Sequence, residues 1–173
     1  MNTRKFGMIY GAYLGLALIV VSFLEYLFGL DEQKSTIISL LNNFLMIGAI
    51  FYAIISCRDK FNNGFISYQN SLKLGTSVAF FASVILAFYN FFFMTITNPD
   101  FAINYLYLVE QQTLNSKPEI LDEELNLILK VTAKLLQPHW MATIFVLAGT
   151  FFGFFYSLII SFFVSKENKN LMI

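Results

Sequence analysis

Four apolar runs, at 6–30, 37–57, 72–96 and 140–164, constrain this chain more than anything else in it. Each is long enough for the roughly 20 residues that an α-helix needs to cross a hydrocarbon core of about 30 Å. None alternates apolar and polar residues with the period of two that a barrel strand needs, and in lipid a continuous run can satisfy its peptide groups only by coiling on itself. Composition points the same way. Of 173 residues 57% are hydrophobic and 13% charged, whereas a soluble domain carries about 25% charged residues. Too few charges remain to cover a water-facing surface. The expectation is an all-α fold: a four-helix transmembrane bundle, one domain over 1–173, with the lipid bilayer as its solvent.

Arg4 and Lys5 ahead of the first run imitate a secretory leader, but the run is too long and continues into Ser22-Phe23-Leu24-Glu25-Tyr26 rather than a small-x-small cleavage site. It reads as a retained span. Asn2 stands where myristoylation needs glycine. Orientation follows from the basic residues. One side holds Arg4, Lys5, Arg58, Lys60, Lys73, Lys166 and Lys169 against Asp59 and Glu167, a net charge of +5. The other holds Lys34, Lys117, Lys130 and Lys134 against Asp31, Glu32, Asp100, Glu110, Glu119, Asp122, Glu123 and Glu124, a net charge of −4. The positive-inside rule then places both termini in the cytoplasm of a plasma-membrane protein.

The segment 97–139 reads as an extracytoplasmic helical hairpin between spans three and four. Asn98-Pro99-Asp100 stops the third helix and starts another. Residues 101–109, with Tyr105 and Tyr107, are too short to span and are placed along the interface. Ser116 and Glu119 have the spacing of a capping box, so a second helix is expected from Ser116 to just before Pro138, acidic at Asp122, Glu123 and Glu124 and basic at Lys130 and Lys134. Leu121, Leu125, Ile128, Leu135 and Leu136 form its apolar face, read as buried against its neighbours. On the opposite side of the membrane the loop from Arg58 to Tyr68 is expected to turn at Asn63-Gly64, with Ser67 capping the third helix and the basic residues reaching toward head groups.

Helices in lipid lack a hydrophobic drive toward one another and associate through close backbone contact and shared hydrogen bonds. Stripes of small residues at four-residue spacing supply the contact: Gly7, Gly11 and Gly15 in the first run; Ser71, Gly75, Ala79, Ser83 and Ala87 in the third; Gly149, Gly153, Ser157, Ser161 and Ser165 in the fourth. Ala49 and Ala53 give the second a weaker one. These mark packing seams.

Glu25, inside the first span, is the remaining charge, and a carboxyl group there should face protein or water, not lipid. Counted along their helices, Asn42 and Asn90 lie at a depth similar to Glu25, at 1.5 Å per residue. The three form a candidate intramembrane polar cluster in the outer leaflet, with Asn43 and Thr143 near it. Two readings stand open. The cluster is an interhelical hydrogen-bond knot around a protonated Glu25, or it is an outward-open pocket, half of a proton or ion path, in which Glu25 titrates.

Other chemistry lacks residues. The lone Cys57 and lone His139 sit at opposite ends of their spans, about a membrane thickness apart, so they cannot share a metal ion. His139, between Pro138 and Trp140, reads as an interface anchor. No serine sits on an elbow for nucleophilic catalysis, and no glycine-rich phosphate loop occurs. A net charge of zero gives no reason to expect nucleic acid. No enzyme, cofactor or metal is expected.

Arg58-Asp59-Lys60, then Gly64-Phe65-Ile66-Ser67-Tyr68-Gln69 running to Lys73-Leu74-Gly75, and Asn98-Pro99-Asp100-Phe101 after the third span carry a resemblance across the whole chain. The chain resembles an uncharacterised bacterial family of four-span integral membrane proteins, a domain of unknown function. It departs from that family's pattern at Asn98 and Ser71, where Asp and Ala are expected. The resemblance implies plasma-membrane residence and transfers no catalytic residue. The functional expectation is a non-enzymatic accessory or assembly component that associates through its helices with a second copy or another membrane protein. The alternative is a small transporter or channel component built around Glu25.

Overall fold

Apolar runs that cannot leave their peptide groups unpaired become helices, and among the described residues of the computed structural model six α-helices lie between Thr3 and Val164. The structure describes residues 3–29 and 32–166, without the side chains of 32–36. The expected charges at Asp31, Glu32, Lys34, Glu167 and Lys169 therefore lie outside the described residues. The helices are α1 (Thr3–Leu27), α2 (Glu32–Phe61), α3 (Tyr68–Phe92), α4 (Phe101–Ser116), α5 (Asp122–Leu135) and α6 (Pro138–Val164), with a π-helical turn at Phe93–Thr97. Four stretches are long and apolar enough to cross a membrane: Thr3–Leu27, Ile37–Phe61, Tyr68–Thr97 and Pro138–Val164. The protein is a multi-pass, all-helical membrane protein.

Helix ends follow local chemistry. α1 stops where Gly29 takes a left-handed φ of +52°, which costs glycine no β-carbon clash. α2 outruns its apolar stretch because Arg58 and Lys60 suit the negative end of the helix dipole, and it closes on the expected turn, with Asn63 and Gly64 both at positive φ. Ser67 caps α3, its Oγ accepting the Asn70 N–H at 3.4 Å.

One helix start needs correction. Ser116 does not open α5; it is the last residue of α4, and Leu121, extended and without a side-chain cap, precedes α5. The reason is Pro118. A proline's Cδ pushes the residue before it out of the α region, and Lys117 sits at φ −138°, ψ 79°. A capping box at Ser116 would need a helix running through that bond. α4 is consequently a full 16 residues.

The chain forms two compact units, Met1–Leu86 with Val146–Ile173, and Ala87–Phe145. In the first, α3 is the central element. Gly7, Gly11 and Gly15 of α1 lie on its Ser77, Val78, Phe81, Ala82 and Ile85, and Gly149 and Gly153 of α6 lie on its Ser83 and Ala79. Gly75 of α3 meets Ser157 of α6 and Ile50 of α2. Ile50, Ile54, Leu74 and Val78 are fully buried there, while Phe44, Phe162 and Phe163 project outward as lipid-facing side chains do. At one end the α2–α3 loop and the residues after α6 exchange two 2.9 Å backbone hydrogen bonds between Ile66 and Lys166. Arg58 adds a bond from Nη1 to the Val164 carbonyl at 3.2 Å. In the second unit α4 packs on α5.

Candidate functional site

Glu25 lies in the last turn of α1, and α2 returns antiparallel beside it after a short connection. Two neighbouring antiparallel spans bring residues near the end of one beside residues near the start of the next. Glu25 and Asn42 thus line one cavity of about 250 Å³, with Ser39 and Asn43 of α2 and with Leu18, Met46 and Leu86 among its apolar walls. That is room for several water molecules.

The polar groups of the cavity are not equivalent. Asn43 is fully engaged: its Nδ2 donates to the Ser39 carbonyl at 2.7 Å and its Oδ1 accepts the Tyr156 hydroxyl at 2.6 Å, which ties α2 to α6. Asn42 is not. Its Oδ1 is buried and no described group donates to it. An unpaired buried acceptor costs about 1–3 kcal/mol, and such a group in a folded protein calls for a reason. Glu25 is half-buried, and among the described residues no basic side chain pairs with it. The cavity therefore presents a carboxyl group and an amide oxygen, and among the described residues no group donates to the amide oxygen and no basic side chain pairs with the carboxyl group.

Of the three residues expected to cluster, the cavity gathers Glu25 and Asn42. Asn90 is half-buried on α3 in the second unit. Thr143 also falls in that unit and turns its hydroxyl back onto the His139 carbonyl at 2.8 Å. The Tyr156–Asn43 bond is new. Tyr156 sits one residue before Ser157 in the small-residue stripe of α6, so its sequence signal is that of a lipid-facing aromatic. Replacing Tyr156 with Phe should cost about 0.6 kcal/mol, and at most about 1.7 kcal/mol, the range measured for interhelical bonds in membranes. Unfolding in mixed micelles checks this, and a larger loss would make the bond a main support of the fold.

Of the residues expected to pack helices, Gly7, Gly11, Gly15, Gly75, Ala79, Ser83, Gly149, Gly153 and Ser157 lie in the first unit at α1–α3 or α3–α6 contacts, whereas Ala87 falls in the second. The serines contribute by size, not by bonding across. Ser83 Oγ donates to the Ala79 carbonyl at 2.8 Å and Ser157 Oγ to the Gly153 carbonyl at 2.6 Å, each within its own helix. A different glycine is left over: a β-carbon at Gly48 of α2 would meet nothing within 4 Å. Gly48 opens onto an apolar groove of about 430 Å³ between α1 and α2, lined by Tyr10, Tyr13 and Tyr52.

Cys57 is buried, with the Asn62 amide 3.6 Å from its sulfur, and His139 stacks obliquely beside Trp140 in the second unit. Among the described residues no three His, Cys, Asp or Glu side chains come together. Against known proteins, a family model described as "Protein of unknown function (DUF4199)" matches residues 9–166. No curated protein and no solved structure matches the chain.

Proposed function

We propose, for a chain that belongs to the DUF4199 family of proteins of unknown function, that it is a small transporter or channel component handling a proton or monovalent cation at Glu25. One observation carries this reading: a half-buried carboxyl group shares a cavity of about 250 Å³ with a buried amide oxygen to which no described residue donates. A hydrogen-bond knot would have paired that oxygen. A site awaiting a donor or cation leaves it open, and ionisable groups within spans mark ion and proton paths. In this reading no reaction is catalysed, no cofactor is held and nucleic acid is no partner. The membrane is the plasma membrane, both termini are cytoplasmic, and α4 and α5 lie outside.

The test is flux. Proteoliposomes carrying an internal pH dye, with a potassium gradient and valinomycin to set the potential, should acidify faster than protein-free vesicles, and Glu25→Gln should return the rate to that of the empty vesicles. Equal rates with and without the unaltered protein, for protons and for sodium, would end the proposal.

A second reading, an accessory protein that associates through its helices, has Gly48 in its favour. The glycine stripes of α1 and α6 are occupied by α3, which leaves them no free face, but Gly48 and its groove keep one on α2. Helix association uses such small residues, and cross-linking in lipid to a second copy or another membrane protein would support this reading in place of the first.

A further inference from the structure

α5 carries two apolar edges, and only one is covered. Leu125, Leu129 and Leu136 are half-buried or buried in the unit that α5 forms with α4. A second edge, Leu127, Val131 and Leu135, repeats every four residues and is 63%, 52% and 45% exposed. Lys130 and Lys134 border this strip toward its C-terminal end, while Asp122, Glu123 and Glu124 sit in the first turn, at the other end.

The surroundings of the strip say what covers it. Two residues, Leu136 and Gln137, separate α5 from Pro138, where the membrane-crossing α6 begins. At no more than about 3.6 Å per residue, that link keeps the C-terminal end of α5 within about 10 Å of the point where α6 enters the bilayer. The same end carries the lysines. Lysine stems can lie along apolar surface while their ammonium groups reach lipid phosphates, whereas the buried centre of a protein–protein interface is depleted of lysine. The geometry points to a phospholipid surface: we infer that α5 lies in the membrane interface with Leu127, Val131 and Leu135 against the acyl chains and Lys130 and Lys134 on headgroup phosphates. This inference is independent of Glu25.

Nitroxide labels test it in the full chain in vesicles of phosphatidylethanolamine and phosphatidylglycerol, with the buried Cys57 replaced by Ser. At Leu127→Cys, Val131→Cys and Leu135→Cys, collision with oxygen relative to a water-soluble nickel chelate should exceed, by severalfold, that at Asn126→Cys and Ala133→Cys on the opposite face. Strip positions as open to nickel as the controls would mean water covers the strip, and shielding from both reagents would mean protein does. Either outcome overturns the inference. In the unaltered chain, a photoactivatable phospholipid should label the peptide containing 127–135, and label confined to the spans would overturn it without any variant.

Discussion

Replacing Gly11 with Leu is expected to be the most damaging single change in the first unit. A β-carbon there would stand 2.7 Å from the Val78 carbonyl oxygen and 3.3 Å from the Ala82 amide nitrogen. Both are backbone atoms of a fully helical partner, so no rotamer change can make room. The two helices must separate along the seam, taking Gly7 and Gly15 out of contact with them. Overpacking of this kind costs about 1–3 kcal/mol, occasionally more, and 2–3 kcal/mol lowers the melting midpoint of a chain this size by about 5–10 °C. Gly48→Ala is the matched control. It lies mid-helix too, yet meets nothing within 4 Å, so removing glycine's entropy cost should leave stability unchanged or raise it by up to about 1 kcal/mol. Thermal unfolding in one detergent reads both. Equal midpoints for Gly11→Leu and the unaltered protein would refute the α1–α3 seam.

Asn42→Leu and Glu25→Gln are expected to separate stability from ligand handling. Leucine at 42 removes the unpartnered oxygen and its desolvation cost of about 1–3 kcal/mol, so the empty protein should melt higher, by on the order of 1 kcal/mol after the change of shape. Glutamine at 25 keeps size and hydrogen-bonding capacity, so its midpoint should stay close to that of the unaltered chain. A cation bound only by the folded protein stabilises it by about 2.7 kcal/mol at a hundred times its Kd. The unaltered protein should therefore show a cation-dependent rise in midpoint, and both variants should lose it. The contrary pattern is equally readable. If Asn42→Leu melts lower and no cation shifts any of the three, the asparagine is interhelical glue and the cavity is a packing defect. Stability gained as function is lost is what a binding group held without a partner predicts.

How much of this was legible beforehand differs from feature to feature. The four spans were, because an apolar run of some 25 residues admits one backbone solution in lipid. The Asn63-Gly64 turn and the Ser67 cap were too, since each rests on a few consecutive residues. The start of α5 departs from the Ser116–Glu119 spacing for a local reason: Pro118 acts on Lys117 more strongly than a side-chain cap can. The sequence marks Asn43 only as a neighbour of the cluster, because nothing along α2 reveals that a tyrosine 113 positions later donates to it at 2.6 Å. Along the sequence the apolar face of α5 reads as one buried surface, but of its five residues only Leu125 and Leu136 are covered: Leu121, Ile128 and Leu135 are exposed, beside Leu127 and Val131.

Taken alone, the order of residues determined that this chain is a helical membrane protein, where its spans lie, and which small residues could let helices approach. Hydrophobic length and peptide hydrogen bonding act locally, so a linear sequence suffices to state them. Only the tertiary structure decided which helix each glycine meets. It placed α3 against both glycine-bearing helices, left Gly48 facing an open groove, and gave Asn43 a partner while withholding one from Asn42. Those outcomes depend on rotation and neighbour choice among spans of nearly equal hydropathy, a quantity that side-chain shape settles after the helices have already formed.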